Sequence, residues 1–177
     1  MTNAGVAPIT PVRICVSAIN FLVGFLFLTR SPLTRKGTTS SIIFSLPSFL
    51  VAGLTFKLSP PTDMWPVYAE ILFILGTLFT ITSFIYLGHN FAVLPGVRGI
   101  VTHEPYHLIR HPAYVGELFL VTSCFIANPT LVSVWPFLAA LPCIMMRIKA
   151  EEKLLKTEKT YRDYADKTVY RLLPGIW

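Results

Sequence analysis

The sequence predicts an all-α integral membrane protein with five transmembrane helices, the last two forming a helical hairpin, and a cytoplasmic C-terminal helix. Three observations carry this expectation. Only 14% of the 177 residues are charged while 53% are hydrophobic, against roughly 25% charged in an ordinary soluble domain. The apolar residues gather in runs close to the roughly 20 residues that a helix needs to cross a hydrocarbon core. The basic residues gather between alternate runs. One domain over residues 1–177 is the expectation at this length.

The first span is read as Ile14 to Thr29 and the second as Ser41 to Leu58. Pro66 to Leu87 is the longest clean apolar run and gives the third. Apolar character returns from Ala113 to Met146, too long for one span and interrupted by Asn128-Pro129. A hairpin turning there gives a short fourth span, Ala113 to Ala127, and a fifth, Thr130 to Met146. Trp65, Tyr68 and Tyr86 stand near span ends, as in an interfacial aromatic belt.

Lys and Arg in short loops stay on the cytoplasmic side. Arg30, Arg35 and Lys36 follow span one, Arg98 and Arg110 separate spans three and four, and Arg147 opens a tail rich in Lys and Arg. The other side holds only Arg13 and Lys57. The expected orientation therefore puts the N-terminus outside and the tail inside, which accounts for the net charge of +6 without nucleic acid. The first residues lack a basic n-region and a small-residue cleavage pattern, so span one is not expected to be a removable signal peptide. Cys15, Cys124 and Cys143 are odd in number and lie inside apolar runs, which reads as packing and not as a disulfide framework.

Two cytoplasmic pieces, Leu87 to Gly116 and Arg147 to Trp177, are longer and more polar than simple connections require. In Arg110-His111-Pro112-Ala113-Tyr114, proline suits the first position of a helix, so span four starts there. The free N–H groups of that turn favour an anion, and the tyrosines offer faces to a sulfonium cation at about 0.5–2 kcal/mol. On residue types alone, Arg110 and His111 would equally mark a membrane boundary. Span five should continue as a helix through Arg147, Glu151 and Glu152, with Arg147 and Glu151 four apart on one face. Two adjacent carboxylates at the foot of a membrane helix ask for a cationic partner. His103, His107 and His111 are spaced by four, but Pro105 and Pro112 interrupt any helix that would align them, and no metal site is expected.

Val101-Thr102-His103-Glu104-Pro105-Tyr106, then Arg110-His111-Pro112-Ala113-Tyr114-Val115-Gly116, then Arg147 with Glu151-Glu152, then Tyr161 and Tyr164 form a two-part pattern across a helical hairpin. It resembles the signature of the isoprenylcysteine carboxyl methyltransferases and their bacterial relatives, a group that includes phospholipid N-methyltransferases. The resemblance covers about residues 87–177, and His103-Glu104 departs from the pair common in relatives.

The resemblance implies a cytoplasmic pocket for S-adenosyl-L-methionine formed by Ile100, Val101, Tyr106, His111, Pro112, Ala113, Tyr114, Glu151 and Glu152. It also implies catalytic roles for Arg147, against the substrate, and Glu151. The acceptor would be a lipophilic small molecule or lipidated group reaching the site sideways from the membrane lipid. A carboxylate acceptor needs no general base. An amine must lose a proton, making Glu151, His111 or Glu117, which lies either just inside span four or at headgroup level, candidate bases. Isoprenylcysteine-type carboxyl O-methylation is the first expectation and phospholipid N-methylation the alternative. An NADPH-dependent membrane reductase fits less well, because Glu151-Glu152 would repel its phosphates. A non-enzymatic membrane subunit would more naturally carry charged or broken spans at mid-depth.

Overall fold

The computed structural model describes residues 8–177; the extreme N-terminal residues expected on the outer side lie outside them. Six α-helices are present among the described residues: α1 (Pro11–Thr29), α2 (Thr39–Leu58), α3 (Val67–Leu87), α4 (Pro112–Ala127), α5 (Leu131–Leu155) and α6 (Lys159–Lys167). Polar caps start several of them. Thr10 accepts a hydrogen bond from the Arg13 N–H (3.3 Å) and Thr38 from that of Ser41 (3.2 Å), while Thr130 and Ser133 form a reciprocal capping box before α5. Pro112 occupies the first turn of α4, and α5 runs without a break from the apolar segment through Glu151-Glu152.

Four helices are long and apolar enough to cross a membrane: α1, α2, α3 with its short 3-10 extension to Asn90, and α5. The fourth expected span, α4, has only 16 residues, about 24 Å at 1.5 Å per residue. Its turn nevertheless reaches the far end of the bundle, where the Asn128 side-chain amide donates to the carbonyl of Leu58 (2.7 Å). Thr10 and Thr62 share a hydrogen bond (2.8 Å) that brings the start of α1 to the α2–α3 turn. At the opposite end, a two-stranded antiparallel ribbon pairs β1 (Arg35–Lys36) with β2 (Gly96–Val97). That end also collects the tail, through hydrogen bonds from Arg110 N–H to Tyr170 O and from His111 N–H to Arg171 O (2.9 Å each). The basic residues of both connections and the tail thus share one end.

Although α4 and α5 are joined by a short turn, α4 packs chiefly on α3 and α5 chiefly on α2. Small residues permit the α3–α4 contact. A methyl group added at Gly116 would meet the Thr80 side chain and the Gly76 carbonyl (2.9 Å), the close approach that glycines allow between membrane helices. Trp65 corrects one expectation. It is no belt residue but is 6% exposed, packed with Val12, Ala69, Phe73 and Cys124, and its indole N–H donates to Pro60 O (2.9 Å). Cys124 is buried and Cys15 and Cys143 are half-buried, all three as free thiols.

Candidate active site

Where α1 to α5 meet the connection between α3 and α4, the basic end encloses a cavity of about 550 Å³. This is ample for a small-molecule site, which typically spans ~300–1,000 Å³. Ile100, Val101, Tyr106, His111, Ala113, Tyr114, Arg147 and Glu151, all expected from the sequence, line it. Two others do not. Pro112 starts α4 and is buried against neighbouring chain, and Glu152 turns away from the cavity into the protein.

Arg147 is the best-held side chain in the cavity. It is 7% exposed, with Nη1 donating to Ser48 Oγ (3.2 Å) and Nη2 to Val93 O (3.0 Å). Its Nε lies 3.5 Å from Glu151 Oε1, and its Nη1 lies 3.8 Å from Glu117 Oε2. The guanidinium also stands 3.9 Å from the Phe49 ring centroid and 5.0 Å from that of Tyr114. Tyr114 donates its hydroxyl to Glu151. One cation therefore sits between two carboxylates, leaving this triad with one negative charge in excess when both acids are ionised.

Glu152 organises the floor beneath. Its carboxylate takes Arg110 Nε at 2.8 Å and Arg171 Nε at 3.1 Å, with His111 Nε2 at 3.3 Å and Lys156 Nζ at 3.7 Å. Arg110 Nη1 further donates to Thr168 O (2.8 Å) and Val169 O (3.0 Å). Glu152 thus fixes the start of α4, the foot of α5 and the returning tail to one another.

Tyrosines close the remaining wall. Tyr106 donates to Ser83 O (3.1 Å), and Tyr164 donates to Tyr106 O (2.5 Å). Burial pushes the phenols of Tyr106, Tyr161 and Tyr164 above their ordinary range, so all three remain protonated donors. Three residues that line the cavity carry a buried polar atom with no hydrogen-bond partner among the described residues: Thr80 Oγ1, Arg147 Nε and Tyr161 Oη. Buried donors left unpaired are costly and uncommon, and all three belong to the lining of one cavity.

No group of His, Cys, Asp and Glu suited to a metal ion occurs among the described residues. Sequence reasoning missed Ser48 and Phe49 on α2, and Thr80 on α3, as parts of the site. Ser41, Ser45 and Ser48, recurring at helical spacing along an apolar run and all buried, were the available signal. The phospholipid methyltransferase family model matches residues 65–163, more than half of the chain and nearly every cavity residue named above except those on α2. No curated protein matches the chain.

Proposed function

The chain belongs to the phospholipid methyltransferase family, and from that membership we propose that it carries a methyl group from S-adenosyl-L-methionine to the amine of a membrane-dissolved lipid. The observation that carries the choice of acceptor is Arg147 held between Glu117 and Glu151. With both acids ionised, a carboxylate acceptor would enter a triad in excess of negative charge. An amine, and a sulfonium donor, would each be drawn to it.

The fit to the cofactor rests on chemistry present in the cavity. The aromatic faces of Tyr106, Tyr114, Tyr161 and Tyr164, the unpaired Tyr161 hydroxyl and the Glu151 carboxylate suit a cationic, hydrogen-bonding ligand. Ile100, Val101, His111 and Ala113 would border it, with Pro112 and Glu152 acting from behind by holding that wall in place. When bound, S-adenosylmethionine supplies an electrophilic methyl group on a positively charged sulfur. Glu117 would take the proton that an ammonium must lose before its nitrogen can attack. Arg147 holds and orients both carboxylates, and the tyrosine wall keeps water out, so that alignment, worth up to about 7–11 kcal/mol in favourable cases, lowers the barrier.

In this reading all five helices α1 to α5 cross the bilayer, the N-terminus is outside, and the cavity opens towards the cytoplasm. The lipid reaches it sideways between helices. A second acceptor class has one observation in its favour. The Arg147 guanidinium, whose Nε has only a long 3.5 Å contact with Glu151, would suit the carboxylate of an isoprenylcysteine-like acid.

The test is binding of S-adenosylhomocysteine to the detergent-purified protein, with NADPH alongside. It is followed by transfer of labelled methyl from S-adenosylmethionine into lipids bearing either an amine or a carboxylate. Saturable S-adenosylhomocysteine binding and base-stable label in the amine lipid are expected. Base-labile label, released as methanol, would move the acceptor to a carboxylate, and binding of NADPH alone would overturn the methyltransferase reading.

A further inference from the structure

Asn20 stands at the middle of α1, with nine residues of the helix on either side, about 14 Å from each end. The side-chain hydrogen bonds of α1 lie at Thr10 and Thr29, and none among the described residues involves the Asn20 amide. The residue is exposed, and it belongs to the lining of the main cavity and of a smaller, apolar one of about 170 Å³. A polar side chain halfway along a helix that is apolar enough to cross a membrane is uncommon, and where it faces a cavity it marks a functional position.

Five residues line both cavities: Ile19, Asn20, Ala52, Glu117 and Leu120. They mark the junction of the two, and Asn20 and Glu117 are its polar members. On the far side of the junction the lining is apolar, and its Phe56 and Phe73 pack with Trp65 at ring-centroid distances of 5.5–6.5 Å. A ligand with its chain in the smaller cavity and its polar end in the larger one changes character at this junction. The two polar side chains offer it different chemistry. The Glu117 carboxylate can accept a hydrogen bond and keep the proton, whereas the Asn20 oxygen accepts an N–H and leaves the proton on nitrogen.

We propose that Asn20 binds the acceptor amine through an N–H···Oδ1 hydrogen bond and thereby sets which amines the site methylates. The inference rests on the amine-lipid reading above, and it adds a specificity-determining residue from α1, outside the residues matched by the family. Glu117 takes one proton from the ammonium. The nitrogen lone pair then forms the N–C bond while the C–S bond breaks and its electron pair returns to sulfur. At that point a primary amine still has two N–H groups, a secondary amine one and a tertiary amine none. Asn20 can hold and aim the first two but has nothing to grip on the third. Selection acts on the number of N–H groups, and the amide favours the first two methyl additions over the last.

The experiment compares the wild-type protein with Asn20→Leu, which keeps the size of the side chain, and Asn20→Ala, which suits any helix. Each is first tested for S-adenosylhomocysteine binding, and kcat/KM is then measured for octylamine, N-methyloctylamine and N,N-dimethyloctylamine. Both variants should lose about tenfold on the primary and secondary amines and keep the wild-type value on the tertiary one. Calorimetry of the same amines on the S-adenosylhomocysteine complex gives the comparison without turnover and covers an amine that binds but does not react. An equal loss on all three amines, or no loss on any, overturns the proposal and leaves the amine reading standing. Loss of S-adenosylhomocysteine binding in both variants, with or without loss of fold, would make the amide a cofactor or structural group and overturns it too. A wild-type protein that binds S-adenosylhomocysteine but neither methylates nor binds any of the three amines overturns the amine reading itself, and the role of Asn20 with it.

Discussion

Glu151 and Glu152 are adjacent in sequence yet serve opposite sides of one wall. Glu151 lines the cavity, accepts the Tyr114 hydroxyl and faces Arg147, whereas Glu152 is 3% exposed and buried among Arg110, His111 and Arg171. A step of one residue turns a helix by about 100°. The acidic pair is therefore divided, one carboxylate facing the cavity and one holding the architecture.

Substituting Glu152 by Gln should cost stability before it costs chemistry. Arg110 is buried, and its Nε bond to Glu152 is what balances it. Breaking a buried pair on one side costs about 3–5 kcal/mol, on the order of 10 °C in thermal midpoint at this size. Thermal unfolding in detergent checks this. A midpoint within about a degree of wild type would mean that the tail does not depend on this carboxylate.

Glu151→Gln should behave differently. The variant keeps the size of the side chain and a partner for Tyr114, so its midpoint should stay near that of the wild type. It removes a negative charge from the face where a sulfonium would lie. Affinity for S-adenosylmethionine should fall about tenfold, and affinity for the neutral-sulfur product S-adenosylhomocysteine should fall less. Equal losses for both ligands would place the carboxylate away from the sulfur.

The α3–α4 contact gives a prediction about the fold. Gly116→Ala puts a methyl group against the Thr80 side chain and the Gly76 carbonyl, while Gly24 on α1 has nothing within 4 Å of an added methyl. Gly116→Ala should destabilise by about 1–3 kcal/mol through overpacking, and Gly24→Ala should be neutral or slightly stabilising. Because Thr80 also lines the cavity, the first variant should weaken ligand binding as well. Parallel unfolding curves for the two variants would mean that the helices separate readily there.

The helix boundaries were legible because local chemistry writes them. Pro112 opens α4, the Asn128-Pro129 break ends it, and the apolar runs stop within a few residues of the observed termini except in α5, which continues past its apolar run to Leu155. The pairing of helices was not. Nothing local says that α5 prefers α2 over its neighbour in sequence, since Arg147 meets Ser48 across 99 residues. For the same reason the contributions of Ser48, Phe49 and Thr80 escaped a reading that followed the densest motifs. The division between Glu151 and Glu152 depends on where the tail returns, and only the folded chain decides that. Trp65 was misread because an aromatic at a span end looks the same whether it faces lipid or the start of another helix.

Glu117 carries the sharpest functional prediction. It lies five residues into α4, 3.8 Å from Arg147, and borders both the main cavity and a smaller apolar one of about 170 Å³ lined by Val16, Phe56, Phe73 and Cys124. An acyl or isoprenoid chain in the smaller cavity would bring its polar end to this carboxylate. With an amine acceptor, Glu117→Gln removes the proton acceptor while the amide keeps the shape of the site. Turnover should fall by about 10²–10⁴-fold, with S-adenosylhomocysteine affinity retained and with activity partly recovered as the pH is raised and the free amine supplies itself. With a carboxylate acceptor no proton has to be removed, and the same variant should keep its turnover, or gain from the loss of a repelling charge. Single-turnover rates of Glu117→Gln against pH, measured on an amine lipid and a carboxylate lipid, separate the two cases. Undiminished methylation of the amine would remove Glu117 from the reaction and return the choice of base to Glu151 or His111.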